Sequence, residues 1–452
     1  MYNLAIMGAG PAGYTAAALA SKAGMNVVLF EQDAIGGTCL NVGCIPTKTL
    51  LYSAKQYHNA CHAGKYGVTA TDVQFDFQKI QQRKTKIIRK LAAGIKSQVK
   101  DCTLVPFAAN VTAYSENLIT LEANGETYEA ERLLICTGSQ NFVPPIPGIE
   151  DNPAVWDSTD ALAAKELPTS IAIVGGGVIG MEFATLYMEL GIQVTVVEAL
   201  PDILPNIDSE VRTLLREKYQ KQGVQFLCST KVQAIEDNRI IYQTADNQPG
   251  ELEADRILVA VGRRANLQGI DALPIEIERG AIKVNEFMQT NLQNVYAAGD
   301  VTGKILLAHV ASRQAEVAVG RMLKQVPLQR IAYNAIPSVV YTNPEIAVVG
   351  LSEADLQGKD CVLPIECDIH RLPMTFSGRF VAENEGETGL CKVVVDRKNL
   401  TILGVQMIGN PCSEFVAAAS FAVRMGYTLP EFRQVVFPHP TVSEILRETV
   451  IG

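Results

Sequence analysis

Of 452 residues only ten are cysteine, five histidine and one tryptophan. No apolar run approaches the length that crosses a bilayer, so no membrane association is expected. Ten cysteines are too few for a disulfide scaffold, and Cys61, Cys102, Cys136, Cys228, Cys361, Cys367, Cys391 and Cys412 stand singly along the chain. A cation excess is also missing: 39 Lys and Arg face 48 Asp and Glu, a formal charge of -9. Such a balance excludes a general nucleic-acid binder, which needs positive charge to neutralise phosphates. Met1 leads straight into the apolar stretch Leu4–Met7 without a basic leader, which predicts a cytoplasmic protein with no secretion or import signal. What the chain has in plenty is apolar residues, 48% of the total, too many over too great a length for one core; two to four domains are expected.

Glycine is where the information begins. Leu4–Met7 reads as a buried strand, followed by Gly8-Ala9-Gly10-Pro11-Ala12-Gly13 and an alanine-rich helix. Gly8 allows the tight turn, Gly10 lets a pyrophosphate approach the backbone, and Gly13 lets helix and strand pack closely. A second strand, Val27–Phe30, ends in Glu31, placed to accept hydrogen bonds from a ribose. The design then repeats. Ile171–Val174 precedes Gly175-Gly176-Gly177-Val178-Ile179-Gly180, and Val194–Val197 ends in Glu198, again 23 residues beyond the first glycine. Two copies in one chain predict two dinucleotide sites. Glu198 suits a free 2'-hydroxyl, because a 2'-phosphate about 4 Å away would be repelled by roughly 4 kcal/mol at an effective dielectric of about 20. With Ala199, Leu200, Pro201 and Asp202 following, no arginine cluster offsets that repulsion, so NAD is expected over NADP.

Between the two copies lies Gly37-Thr38-Cys39-Leu40-Asn41-Val42-Gly43-Cys44-Ile45-Pro46-Thr47-Lys48. Two cysteines five positions apart, just after a phosphate-cradling turn, predict a small redox-active disulfide ring held against a flavin; the competing reading is two buried thiols at a helix start near Pro46. Proximity to the cysteines makes FAD the expected occupant of the first site. Lys48 is either a cation near the reacting ring or a solvated helix residue, and Glu182 either a dipole-favoured carboxylate or a partner for a buried cation. Residues 76–100 predict a long basic amphipathic helix with a solvated charged face or an acidic protein partner. Arg132–Gly138, Leu258–Gly262 and Val295–Asp300 each read as a strand ending in a small-residue turn, and His309 as a packing histidine or a proton donor. From Ile336 the pattern changes to strands and helices without a nucleotide fingerprint, which predicts an α+β domain with an interface role. Near its end, His439 between Pro438 and Pro440 is followed by Glu444. A carboxylate on one imidazole nitrogen would leave the other free to move a thiol proton; helix capping is the simpler reading of the motif alone.

These blocks, in this order and over essentially the whole chain, resemble the class I pyridine nucleotide-disulfide oxidoreductases, and within them the dihydrolipoamide dehydrogenase branch. The resemblance implies an α/β fold with two Rossmann-like nucleotide-binding domains and a C-terminal α+β dimerisation domain. Its segments run 1–145 (FAD), 146–267 (NAD), 268–335 (a return to the FAD and central region) and 336–452 (interface). Further implied are FAD contacts from Gly8, Gly10, Gly13, Glu31, Thr38, Lys48, Ala108, Thr137, Gly138, Asp300 and Ala308, and NAD contacts from Gly175, Gly177, Gly180, Glu198 and Gly262. Cys39 exchanges with the substrate, Cys44 faces the flavin, Lys48 pairs with Glu182, and His439 with Glu444 serves the other subunit's disulfide in a homodimer. The implied activity is NAD-dependent oxidation of dihydrolipoamide carried on lipoyl domains of 2-oxo acid dehydrogenase or glycine cleavage complexes, with no metal. A glutathione-reductase-like enzyme using NAD(P)H is the alternative. Two departures from the family pattern are Pro106, where glycine is usual, and Val310–Gln314, where the usual run is acidic.

Overall fold

Leu4–Met7 is buried along its whole length, the signature of a strand covered on both faces of a parallel sheet. A computed structural model, which describes residues 1–327, 329–356 and 366–451, places it at the centre of five parallel strands. Their spatial order is Val295–Ala297, Leu133–Ile135, Leu4–Met7, Val27–Phe30, Thr103–Val105. Cys361 lies outside the described residues. The second parallel sheet repeats the plan with Gln225–Leu227, Gln193–Val197, Ser170–Val174, Arg256–Val259 and Val155–Trp156. In each copy a three-stranded antiparallel sheet is inserted before the strand on the far side of the central one: residues 110–130 in the first, 230–253 in the second. Both glycine turns therefore leave the carboxyl end of a central strand where neighbouring connections diverge, the crevice in which open α/β sheets take nucleotides.

The chain crosses from the first unit at Ser139–Asn141 and returns at Arg263–Ala265, and these two short strands pair antiparallel. Beyond Ile336, five strands ordered Ser338–Val340, Ile346–Gly350, Ile402–Ile408, Leu390–Asp396, Cys367–Pro373 form an antiparallel sheet covered by the Cys412–Met425 helix. The edge strand Cys367–Pro373 is invisible to a hydrophobicity pattern because its residues are only partly buried or exposed. Two boundaries differ from expectation. The helix after the cysteines starts at Cys44 rather than near Pro46, since proline in a first turn loses no intrahelical bond. After Pro440 the chain first makes the 3-10 turn Val442–Glu444, because Glu444 accepts the Thr441 N–H at 2.8 Å, and the α-helix follows at Ile445–Ile451.

The Val178–Glu189 helix fastens the C-terminal unit to the second sheet. Glu182 Oε1 accepts the Tyr341 N–H at 3.1 Å, and one helical face further on Glu189 Oε1 accepts Asn343 Nδ2 at 2.6 Å. Tyr219 adds a bond from the Asn343 N–H at 3.1 Å. Burial raises the Glu189 carboxyl to about 7, against the opposing pull of Asn343 and two lysines. A carboxyl protonated in the folded state but ionised in the unfolded chain makes the fold lose stability as pH rises from about 4.5 through about 7. Glu189→Gln keeps an oxygen for Asn343 and removes the titration. Its thermal unfolding midpoint should vary less between pH 5 and 8 than that of the unmodified protein and exceed it at pH 8; parallel curves would show that Glu189 is not the titrating group.

Candidate active site

The two glycine turns are built alike to the level of single bonds. A Cβ on Gly8, whose φ is 96°, would lie 2.3 Å from the Cys136 carbonyl oxygen, and one on Gly13 would lie 1.8 Å from the Gly8 oxygen. In the second turn, Gly175 and Gly180 are closed off in the same way by Ala260 and by Gly175. The middle glycines differ: a Cβ on Gly10 would meet nothing nearer than 3.9 Å, and on Gly177 nothing within 4 Å. Each middle glycine opens a 12-residue helix, Pro11–Lys22 or Val178–Glu189, whose N-terminus has no side-chain cap. Uncapped N–H groups facing open space are what a pyrophosphate requires. Glu31 accepts the N–H groups of Ala9 at 2.8 Å and Asp33 at 3.0 Å; Glu198 accepts those of Gly176 at 2.6 Å and Leu200 at 2.8 Å. Each carboxylate thereby stands beside its own turn. Burial raises the Glu31 carboxyl above its ordinary range despite those backbone donors.

Cys39 and Cys44 form a disulfide with their Cα atoms 4.6 Å apart. Cys39 belongs to the short helix Gly37–Asn41 and Cys44 opens Cys44–Cys61. Gly43 between them is crowded by the Thr38 oxygen at 2.9 Å from a hypothetical Cβ, which explains the glycine. The segment is pinned to the first nucleotide turn: Gly36 N–H donates to the Ala9 oxygen at 2.8 Å, and a Cβ on Gly37 would strike the Gly10 Cα at 2.7 Å. Redox pair and glycine turn are thus one piece of structure.

One helical turn beyond Cys44, Lys48 Nζ contacts both oxygens of Glu182 at 2.9 and 2.7 Å. The Glu182 side chain is almost wholly buried and the Lys48 side chain about one-third exposed, with the ammonium 4.7 Å from the centre of the Tyr341 ring. Three units meet there: the disulfide helix, the second nucleotide unit and the C-terminal segment. His439 Nδ1 bonds Glu444 Oε1 at 2.9 Å, while the imidazole side chain is 80% exposed. The Thr441 N–H and then His439 hold the Glu444 carboxyl below its usual range, so it remains an anion that can orient the ring. Within one chain the polar partner of His439 is Glu444 rather than either cysteine.

Residues 2–315 match the family described as pyridine nucleotide-disulphide oxidoreductase, and residues 336–450 match the dimerisation domain of that family. The chain belongs to the pyridine nucleotide-disulphide oxidoreductases. This oxidoreductase is 35% identical to the dihydrolipoyl dehydrogenase of Mycoplasma genitalium, covering 99% of this chain and 97% of that one. It is also 35% identical to the dihydrolipoyl dehydrogenase of Bacillus subtilis strain 168, covering 100% and 98%. Among solved structures, LpdA from Mycobacterium tuberculosis is similar with a TM-score of 0.89 and 25% identity, over 100% of this chain and 99% of that one. The Cu(II) complex of the HOCl-induced flavoprotein disulfide reductase RclA from Escherichia coli is similar with a TM-score of 0.86 and 28% identity, over 100% and 99%.

The remaining expected contacts of this oxidoreductase spread around the first sheet. Thr38 lies in the cysteine helix, Ala108 is exposed after Thr103–Val105, and Ala308 is the first residue of the Ala308–Met322 helix. Thr137 Oγ1 donates to the Asn266 oxygen at 2.6 Å; Gly138 and Gly262 leave open space where a side chain would stand. His309 is exposed, and its Nε2 donates to the Pro337 oxygen at 3.0 Å. Asp300 accepts Ser139 Oγ at 2.6 Å, and burial lifts its carboxyl above the ordinary range against Ser139 and Arg263. Sequence reasoning missed the residues that set Asp300 in place. Arg263 Nε donates to Ser139 Oγ at 2.8 Å and a second guanidinium nitrogen to the Ser139 oxygen at 2.7 Å. Asn141, also bonded by Arg263, reaches Asp157 at 2.7 Å. Gln314, fully buried, accepts the Gly299 N–H at 2.6 Å and donates to Tyr333 at 3.1 Å. That glutamine stands in the run that departs from the usual acidic pattern, and a departure at a buried position was the signal available.

Proposed function

We propose that the protein is a dihydrolipoyl dehydrogenase: a homodimer that oxidises dihydrolipoamide on lipoyl domains through Cys39 and Cys44, with FAD on the first glycine turn and NAD on the second. The observation that carries this reading is the Cys39–Cys44 disulfide fixed to the Gly8–Gly13 turn. Full-length relatives named dihydrolipoyl dehydrogenase support the substrate, and the dimerisation-domain match supports the dimer. The crossing strands at 139–141 and 263–265 support segment boundaries near 145 and 267, with the C-terminal unit beginning at 336. Among the described residues no helix is long and apolar enough to cross a membrane. A cytoplasmic location goes with the reading, since a reducing compartment keeps single thiols such as Cys136 and Cys391 free.

In this mechanism one thiol of dihydrolipoamide gives its proton to His439 of the partner subunit, and the thiolate attacks Cys39 Sγ. The Cys39–Cys44 bond breaks and Cys44 leaves as a thiolate. The second substrate thiol then attacks the first substrate sulfur; the bond from that sulfur to Cys39 breaks, the departing Cys39 thiolate takes the second thiol's proton, and lipoamide is released with two electrons left on the cysteine pair. Glu444 keeps the imidazole in the tautomer whose outer nitrogen is free. Lys48, ion-paired with Glu182, would set its ammonium beside the flavin, and the pair ties the disulfide helix to the second nucleotide unit. FAD supplies, when bound, the two-electron relay between thiols and nicotinamide.

Glu198 is the residue that separates this reading from an NADPH-driven disulfide reductase. Glu198→Gln keeps an oxygen for the backbone donors and removes the charge; the ratio of kcat/KM for NAD to that for NADP should fall about tenfold, the equivalent of about 1.4 kcal/mol. An unchanged ratio would assign cofactor choice elsewhere. The function itself is tested by NAD reduction driven by dihydrolipoamide, which should be absent with glutathione as the thiol.

A further inference from the structure

The run after Glu198, Ala199-Leu200-Pro201-Asp202, holds no cation, yet folding brings two guanidiniums to its end. Asp208 caps the Ser209–Lys221 helix, and Arg212 and Arg216 stand one turn apart on that helix and share a face. Arg212 Nε lies 3.3 Å from Asp202 Oδ2, and Arg216 Nη1 lies 3.3 Å from Asp202 Oδ1. One carboxylate thus faces two cations. Among the described residues Asp202 is the one acid that either arginine pairs with, and the buried Nε atoms of both make no hydrogen bond. Guanidinium donors with unused hydrogen-bonding capacity, sharing a single acid, keep a net positive charge that a further anion could meet. The thiol and flavin chemistry makes no use of them.

These charges sit beside the second glycine turn. Asp202 Oδ1 accepts the Ile203 N–H at 2.9 Å, and the next two residues close on Gly176. The Leu204 N–H donates to the Gly176 oxygen at 2.9 Å, and a Cβ on Gly176 would lie 2.9 Å from Ile203 Cγ2 and 3.2 Å from Glu198 Oε2. Arg212 also donates to the Pro205 oxygen at 3.4 Å, so one side chain touches the loop at residues 202 and 205. Cys228 lies within reach of both acids. Burial and then the charge of Asp202 raise its thiol, Arg216 pulls the other way, and Glu198 adds to the rise. The acid assigned to the ribose and the shared acid of the arginines are therefore one neighbourhood.

We infer that Asp202 is a second determinant of the choice between nicotinamide cofactors: it occupies Arg212 and Arg216, the cations that a ribose 2'-phosphate would otherwise meet. The inference rests on the placement of NAD at the second turn and goes beyond the repulsion exerted by Glu198. Glu198 acts on a 2'-phosphate by like charge. Asp202 acts by keeping opposite charge engaged, and selectivity can be set by withholding a partner as well as by repulsion. Without that acid, two planar forks of donors suited to phosphate oxygens stand free beside the turn.

The test is calorimetric binding of ADP-ribose and of its 2'-phosphate to the FAD-bound full-length protein; neither ligand carries a nicotinamide ring, so neither exchanges hydride with the flavin. Asp202→Asn keeps an oxygen for the Ile203 N–H and removes the charge. Expected is a fall of roughly tenfold in the ratio of Kd for the 2'-phosphate form to Kd for ADP-ribose, with ADP-ribose itself bound within about twofold of the unmodified affinity. Binding of the 2'-phosphate form should also become more sensitive to salt. In D202N/R212Q/R216Q the gain should vanish, and R212Q/R216Q, which leaves two acids and neither arginine, should raise the ratio above that of the unmodified protein. An unchanged ratio in D202N, a gain that survives loss of both arginines, or an unchanged ratio in R212Q/R216Q would overturn the role of Asp202. Absence of ADP-ribose binding to the unmodified protein would instead overturn the assignment of NAD to the second turn.

Discussion

Cys44→Ser is expected to stop dihydrolipoamide-driven NAD reduction altogether. Serine cannot form or reopen the bond to Cys39, so the electron pair delivered by the substrate has no place to rest between the thiol and nucleotide sites. The loss should exceed roughly 10³-fold, as when a nucleophile that works as a unit with its base is removed. Oxidation of NADH with an artificial electron acceptor should survive, because the two glycine turns and the Lys48–Glu182 pair are untouched by the change. Cys44 opens its helix and is tied to the fold chiefly by backbone bonds of the Gly36–Thr47 segment, so the variant should fold and retain FAD. Wild-type flavin reduction by dihydrolipoamide in this variant would remove the disulfide from the pathway.

His439→Ala is expected to lower the thiol half-reaction by roughly 10²- to 10⁴-fold, the span associated with a lost general base. The side chain is exposed and among the described residues its one polar partner is Glu444, so little stability should be lost with it. The more telling experiment mixes subunits. If His439 serves the disulfide of the other subunit, a heterodimer of Cys44→Ser and His439→Ala chains has one site with intact cysteines and an intact histidine, and one site with neither. Random pairing of two nearly inactive proteins should then restore about a quarter of the wild-type rate, as follows from a two-fold dimer with half its members mixed and half of their sites whole. No restoration in demonstrably mixed dimers would place the base in the same chain as its disulfide.

Much of this architecture is legible without coordinates because it is local. Gly8, Gly13 and Glu31 are constrained by neighbours within one strand-turn-helix-strand unit, and the second copy repeats those constraints at Gly175, Gly180 and Glu198. The cysteine spacing likewise declares itself over six residues. Resemblance, not periodicity, paired Lys48 with Glu182, and the two charged groups do meet although 134 residues separate them. What stayed hidden depends on tertiary folding. Ser139, Arg263 and Asp300 form one network across separations of 124 and 161 residues, and nothing in the local pattern of Arg263 distinguishes a half-buried, fully bonded guanidinium from an exposed one. Lys392 is similar. It is the one cation of Leu390–Asp396, a strand buried along its whole length, and it bonds both oxygens of the buried Asp208 at 2.8 Å, joining the C-terminal sheet to the second nucleotide unit. Burial alone would lower its ammonium, yet bonds to Asp208, Glu353 and Glu210 hold it above the ordinary lysine value. Gln314 shows the same limit from the other side: the sequence marks it as unusual, and only the fold shows that it holds the Gly299 turn.

Electrons are proposed to pass from a dithiol through Cys39 and Cys44 to FAD and on to NAD. Anaerobic rapid mixing of the FAD-bound protein with dihydrolipoamide, followed by NAD or NADP, tests it directly through flavin absorbance. The expected result is bleaching that requires both cysteines and is reversed by NAD far faster than by NADP. Absence of thiol-dependent bleaching in the unmodified protein, or faster reversal by NADP, would contradict it.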